Sequence, residues 1–254
     1  MKKLVIRADD IGYSEAVNYR IQKAVKDGMV RSAGLMPNMP YAEHGLDLLE
    51  GLDVCIGQHT NICLGRPCSD PKDIPSLVDE RGMLLASSVY RKAYMEGRDL
   101  VFVEDAAKEA EAQYFRFKEI TGREPAYFEA HAIASDNLWK GLRIVAEKYG
   151  LPFNEMAPGA KTATFRGKPV APCRMDSMEP DYDPRETLRK AVQEADPDIP
   201  NIFVCHPGYV DAYLLNHSSL TLNRTKEVEM LCDPEVRKEL EEKGVVLISY
   251  TDIL

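Results

Sequence analysis

The sequence predicts an α/β fold: a single-domain (β/α) barrel-like structure with a mostly parallel sheet and a long insertion after the third strand. Three observations carry the prediction. Short apolar runs alternate with helical stretches along most of the chain, the pattern of a parallel sheet covered by helices. The 254 residues, 44% of them hydrophobic, can bury one large core, and α/β barrels of about 250 residues form one domain. No internal repeat, low-complexity tract or linker divides the chain, so residues 1–254 are expected to form one unit.

Taken in order, Leu4-Val5-Ile6 reads as a buried strand that delivers two adjacent carboxylates, Asp9 and Asp10, just before Gly12. Ser14 is placed to cap a helix bearing Val17, Ile21, Ala24 and Val25 on one face, with Gly28 at its end. Residues 29–36 read as a second strand, 37–40 as its turn, and Ala42–Leu49 as a helix stopped by Gly51. Residues 53–59, DVCIGQH, form a third strand that ends on His59.

The stretch 60–98 breaks this rhythm with Gly65, Pro67, Pro71, Pro75 and Gly82 before a short helix at Ser87–Met95. A loop of that length inside a compact domain is read as a lid or substrate wall, and its exposure makes it the candidate contact of a homodimer. Tyr90 and Tyr94 share a face of that helix, as core packing or as a surface for a sugar ring. A helix over 103–120 follows, ended by Gly122, then PAYFEAH as a fourth strand reaching His131. Residues 137–149 are helical by period, 151–154 a fifth short strand, and 155–183 irregular or short β segments. A helix over 184–195 starts with Pro at a favoured position, and NIFVCHPG is a sixth strand ending on His206. Helices over Leu222–Leu231 and 234–244 and an apolar last strand over 245–250 complete the order.

Composition excludes several functions. A net charge of −9 and a pI near 5.2, with no Lys/Arg run, argue against a nucleic-acid partner. No stretch approaches the ~20 apolar residues of a membrane span, and the start is too short in apolar residues for a secretory signal, so a cytoplasmic protein is expected. The six cysteines include no CxxC pair, which removes a zinc ribbon or a redox dithiol. Cys205 beside His206 is no nucleophile pair, because adjacent strand residues face opposite ways.

Asp9, Asp10, His59, His131 and His206 all fall at predicted strand C-termini, the rim where parallel α/β folds gather ligands. One carboxylate with two imidazoles makes a three-point site for Zn, Mn, Fe or, less typically, Mg. A hydrolase built on such a site also needs a base for water and an acid for the leaving group, and the remaining Asp and His supply both. Tyr13, Tyr209 and Tyr213 lie near these blocks as core or sugar contacts; Trp139 reads as core, and His44 and His217 are outside the set.

Five blocks in order resemble the YdjC-like carbohydrate deacetylases: ADDIG leading into SEAVNYRIQKAVKDGMVRSAGLMPN, then IGQHTNICLGRP, PAYFEAH, CHPGY and VVLISYTDIL. The resemblance spans nearly the whole chain. It implies a (β/α) barrel-like fold and removal of acetyl groups from N-acetylated amino sugars, such as chitooligosaccharides, with one divalent metal ion, Mg2+ or Zn2+. By position it implies Asp10, His59 and His131 as metal ligands, Asp9 as general base and His206 as general acid. The third block departs from the family's usual Asp-x-His-x-His-x-His. Here it reads Glu129-Ala130-His131-Ala132-Ile133-Ala134-Ser135, so histidines expected to shape the substrate pocket are replaced at Ile133 and Ser135. Two rival readings share these residues: a metal hydrolase of phosphoesters or other amides, for which Arg7 and Arg66 would be the rim cations, and a catalytically silent sugar-binding protein.

Overall fold

The computed structural model describes residues 1–155 and 162–253. Its first half runs β1 (Lys2–Ile11), α1 (Glu15–Lys26), β2 (Ser32–Leu35), α2 (Ala42–Leu49), β3 (Cys55–Thr60), α3 (Ser87–Met95), α4 (Val103–Thr121), β4 (Phe128–Ala130) and α5 (Asp136–Tyr149). Then come β5 (Asn154–Glu155), β6 (Ala163–Phe165), β7 (Lys168–Pro172), α6 (Pro184–Glu194), β8 (Asn201–Cys205), α7 (Ala212–His217), α8 (Leu222–Leu231), α9 (Pro234–Glu242) and β9 (Val245–Ile248). One sheet follows the order β4-β3-β2-β1-β8-β7-β6-β5, with β9 paired to the first half of β1. Every named pairing is parallel except β5–β6 and β6–β7. The path curls back on itself, since Phe128 of β4 bridges to Phe153 beside β5. This is the α/β, barrel-like, mostly parallel arrangement that the alternation of elements predicts.

β1 is the axis of the sheet. Arg7 pairs with Ser32 of β2 on one edge and with Val204 of β8 on the other. Its alternate residues feed two cores: Leu4, Ile6 and Ala8 pack under the helices with Val17, Ile21, Leu188 and Leu231, whereas Val5 packs inside the curl with Tyr127, Phe165, Val170 and Tyr250. The strand runs well past the apolar triplet because both edges are hydrogen-bonded, which overrides the low strand preference of its charged residues. Near its end the register slips: Ala8 faces Ala33 but Ile11 faces Leu35, so β1 carries one extra residue across Asp9 and Asp10. Asp10 adopts a φ of +82°, in the left-handed region. An unbroken strand would send neighbouring aspartates to opposite faces; a bulge re-aims one of them.

The insertion after β3 has a core of its own. Ile62, Ile74, Leu77, Leu84 and Tyr90 pack against Ala106, Ala110 and Tyr114 of α4 and Leu138 and Leu142 of α5. Carboxylates of α4 fasten its backbone: Glu109 accepts from the Cys68 and Ser69 N–H groups, both at 2.9 Å, and Asp105 accepts from Ser76 N–H at 2.9 Å. Of the two tyrosines on α3, Tyr90 is core and Tyr94 is exposed. α7, with six residues, is too short to show a helical period in the sequence. The stretch 155–183 falls in part outside the described residues; its remainder supplies β6 and β7. No helix among the described residues is long and apolar enough to cross a membrane.

α8 buries charge on the face that carries its core residues. Arg224 and Glu227 are enclosed together with Val228 and Leu231. Glu227 accepts from the Tyr182 hydroxyl at 2.8 Å and from the His206 backbone N–H at 2.6 Å.

Two predictions follow from these buried carboxylates. Glu109→Ala leaves two loop N–H groups without their acceptor, so urea unfolding should show a loss of about 3 kcal/mol, with limited proteolysis cutting first between residues 61 and 86. A loss below ~0.5 kcal/mol would contradict the anchoring. Burial pushes Glu227 up from 4.5 to about 7. The unfolded chain therefore releases this proton before the folded one does, and stability falls as pH rises from 4.5 to about 7, by on the order of 3 kcal/mol. Glu227→Gln should flatten that part of the stability–pH curve and exceed the parent's stability at pH 8; an unaltered curve would refute the assignment.

Candidate active site

Asp10, His59 and His131 are brought together at the ends of β1, β3 and β4, with β2 lying between β1 and β3. His59 lies in β3, Glu129 is its register partner in β4, and His131 follows β4 directly. Asp10 Oδ1 is 3.4 Å from His59 Nε2 and 3.1 Å from His131 Nδ1, and the two nitrogens are 2.8 Å apart. Oδ1 is buried without a hydrogen-bond partner among the described residues. Ligands about 2.1 Å from one ion are about 3.0 Å apart at right angles and about 3.4 Å apart at the tetrahedral angle. The spacing of these three atoms, and the donor set of one carboxylate and two imidazoles, therefore fit a single divalent cation.

Second contacts fix each ligand. Glu129 Oε1 bonds His59 Nδ1, which places a proton on that nitrogen and turns Nε2 toward Asp10 and His131. Burial opposes the His59 cation, but Glu129 and Asp9 raise it well above its usual value while no cation is bound. Asp10 Oδ2 accepts from Arg224 Nη2 at 2.8 Å. Burial works against the Asp10 charge, yet Arg224 and His131 outweigh it and hold the carboxyl well below its usual range. Burial likewise opposes the His131 cation, but Asp10 pushes the imidazole up to about 9. For Glu129, too, burial is overcome by Arg7 and His59, which keep it below its usual value.

Asp9 sits on the other side of His59. Its Oδ2 accepts from Arg7 Nη2 at 2.7 Å and Nε at 3.1 Å and lies 4.0 Å from His59 Nδ1; its Oδ1 is enclosed and has no hydrogen-bond partner among the described residues. A Cβ at position 34 would come within 2.6 Å of that oxygen, which is why β2 carries Gly34 there. Asp9, His59 and Glu129 form a second set with ligand-like spacing, in which Arg7 already bridges Asp9 Oδ2 and Glu129 Oε2. Arg7 is thus an interior residue and no rim cation.

His206 follows β8 and lines a cavity of about 660 Å³ together with Asp10, Tyr13, His131, Arg224 and, from the insertion, Arg91. Its Nδ1 is enclosed and has no hydrogen-bond partner among the described residues, and burial, reinforced by Arg224 against the pull of Asp10, lowers the imidazole to about 4. It is neutral at neutral pH in the free protein. Ile133 and Ser135 do not line this cavity. Ile133 packs in the insertion's core, and Ser135 caps α5 through Leu138 N–H at 3.0 Å while its hydroxyl bonds Asp99. The expectation that these two positions wall the pocket is thus not met here; both side chains serve the packing beneath it. Tyr209 is exposed under Arg20, and Tyr13 is buried at the cavity wall.

Sequence reasoning missed Glu129 as the partner of His59, and Arg7, Arg224 and Glu227 as the buried charges around the site. One signal was present for α8: Arg224 and Glu227 stand at helical spacing with Val228 and Leu231, so charge sits on an otherwise apolar face.

A family model described as YdjC-like protein matches residues 3–242. Carbohydrate deacetylase 2 of Listeria innocua is 32% identical, over 99% of this chain and 98% of its own length. The carbohydrate deacetylase of Geobacillus stearothermophilus is 31% identical, over 98% and 96%. A crystal structure of an Enterococcus faecalis V583 protein superposes with a TM-score of 0.81 at 26% identity, covering 98% of this chain and 97% of that one. The sequence match along nearly the whole chain agrees with the curled parallel sheet and the residues at its rim: the chain belongs to the YdjC-like protein family.

Proposed function

We propose that the chain hydrolyses the acetyl group of an N-acetylated amino sugar, on a monosaccharide or a short chitooligosaccharide. In this reading Asp10, His59 and His131 hold one divalent cation, Zn2+ suiting the two imidazoles better than Mg2+. The observation that carries it is the convergence of three ligand atoms, 2.8–3.4 Å apart, two of them from Asp10 and His131, which line a cavity of about 660 Å³. That volume is in the range of small-ligand sites. The names of the Listeria and Geobacillus relatives support the sugar and the acetyl group.

A cation bound there supplies a Lewis acid that polarises the acetyl carbonyl and makes a neighbouring water more acidic. The proton of the attacking water we assign to Asp9 Oδ1, the oxygen that Arg7 leaves uncommitted; Asp9 lies on the Nδ1 side of His59 and is not among the residues that line the cavity. Arg7 holds the Asp9 carboxylate in place through Oδ2. The amine leaves only with a proton, which we assign to His206. Its imidazole starts neutral; as negative charge develops on the carbonyl oxygen, the ring takes up a proton from solvent through the cavity and passes that proton to the departing amine, while Asp9 later returns the water proton to solvent. The products are acetate and a free amino sugar.

Acetate release from N-acetylglucosamine oligomers tests this reading. Chelation should abolish it and Zn2+ restore it, while Asp9→Asn and His206→Ala should each lower kcat by roughly a hundredfold or more. Full turnover in both variants would refute the base and acid; release insensitive to chelation would refute the cation.

A further inference from the structure

Arg224 is a buried charge that the proposed reaction leaves unused. Its residue is 2% exposed, and every part of the guanidinium is engaged: Nη2 on Asp10 Oδ2 at 2.8 Å, Nε on Leu220 O at 2.9 Å, Nη1 on His206 O at 3.4 Å, and the plane over the Tyr13 ring at 5.4 Å. The side chain reaches Asp10 past Gly208. A Cβ at that position would stand 3.1 Å from Arg224 Cδ and 3.3 Å from Val17 Cγ2, so the glycine after Pro207 leaves the passage open. One turn along α8, Glu227 holds the same loop by the His206 N–H.

Asp10 is thereby divided between two positive centres. Oδ2 belongs to Arg224, and only Oδ1 faces the two histidines. We propose that Arg224 is a positioning residue that reserves Oδ1 as the one oxygen Asp10 offers to the cation and keeps the carboxylate from chelating with both. It also competes for the same negative charge, so it holds cation affinity below what the three ligands alone would give. A carboxylate free to chelate would fill a coordination position that substrate and water require. This inference rests on the reading of Asp10, His59 and His131 as the cation site.

The test titrates the metal-free protein with Co2+ alone, by calorimetry and visible absorption. The parent should bind one equivalent, and His59→Ala should abolish that binding. Arg224→Gln should bind Co2+ at least about tenfold more tightly, with an altered visible spectrum, while kcat falls. Arg224→Lys, which keeps the charge, should return the affinity toward that of the parent. A merely structural arginine would lower affinity and turnover together, so equal or weaker Co2+ binding by Arg224→Gln overturns the proposal. If that variant does not fold, Gly208→Ala is measured in its place, since its methyl group presses on Arg224; the same tightening is expected, and its absence overturns the proposal equally. Failure of the parent to bind Co2+, or binding that survives His59→Ala, overturns the cation reading itself and is distinguishable from failure of the Arg224 assignment alone.

Discussion

The bulge at the end of β1 is the constraint on which the rest of the site depends. Without the extra residue between Ala8 and Ile11, Asp9 and Asp10 would obey strand alternation and one of them would be driven into the helix-covered core. With it, Asp10 turns to the rim at a φ of +82°. A non-glycine residue in that region costs on the order of 1–3 kcal/mol and persists only where its surroundings hold it. Here the holders are Arg224 on one oxygen and a strand paired along both edges.

Burying this much charge needs pairing throughout. Two arginines sort the two aspartates: Arg7 takes Asp9 and Glu129, and Arg224 takes Asp10. Removing one partner of such a buried pair strands the other, at about 3–5 kcal/mol. The sorting also divides the chemistry. Among the described residues, Asp10 is left with one buried, unbonded oxygen beside His59 and His131, and Asp9 with one on the far side of the same ring. Glu129 ties the halves together by orienting His59.

The sequence made the strand ends legible because parallel α/β folds put their ligand residues there, and Asp9, Asp10, His59, His131 and His206 each close an apolar run. Element order was legible for the same reason. The bulge was not, since nothing in LVIRADDIG marks one extra residue; it exists only relative to the register with β2. Glu129 looked like a departure from a family pattern, and its contact with His59 emerges only when β3 and β4 are aligned. Arg224 and Glu227 lie more than two hundred residues from Asp10 and on a helix whose apolar period they interrupt. The insertion reads as a lid or substrate wall, and Leu64, Ser87 and Arg91 of it do line the cavity; its scattered apolar residues also close into a core against α4 and α5, a contact that local periodicity does not carry. Ile133 and Ser135 stand where the family pattern has histidines; the chain turns at Ala132, with a φ of +58°, and sends them to the core and to the cap of α5.

Anomalous diffraction from crystals grown with Zn2+ tests the central claim most directly, that one cation belongs to Asp10, His59 and His131. The predicted result is a single strong peak about 2.0–2.2 Å from Asp10 Oδ1, His59 Nε2 and His131 Nδ1, with Arg224 still on Asp10 Oδ2. A peak between Asp9 and Glu129, or none at Asp10, would contradict it.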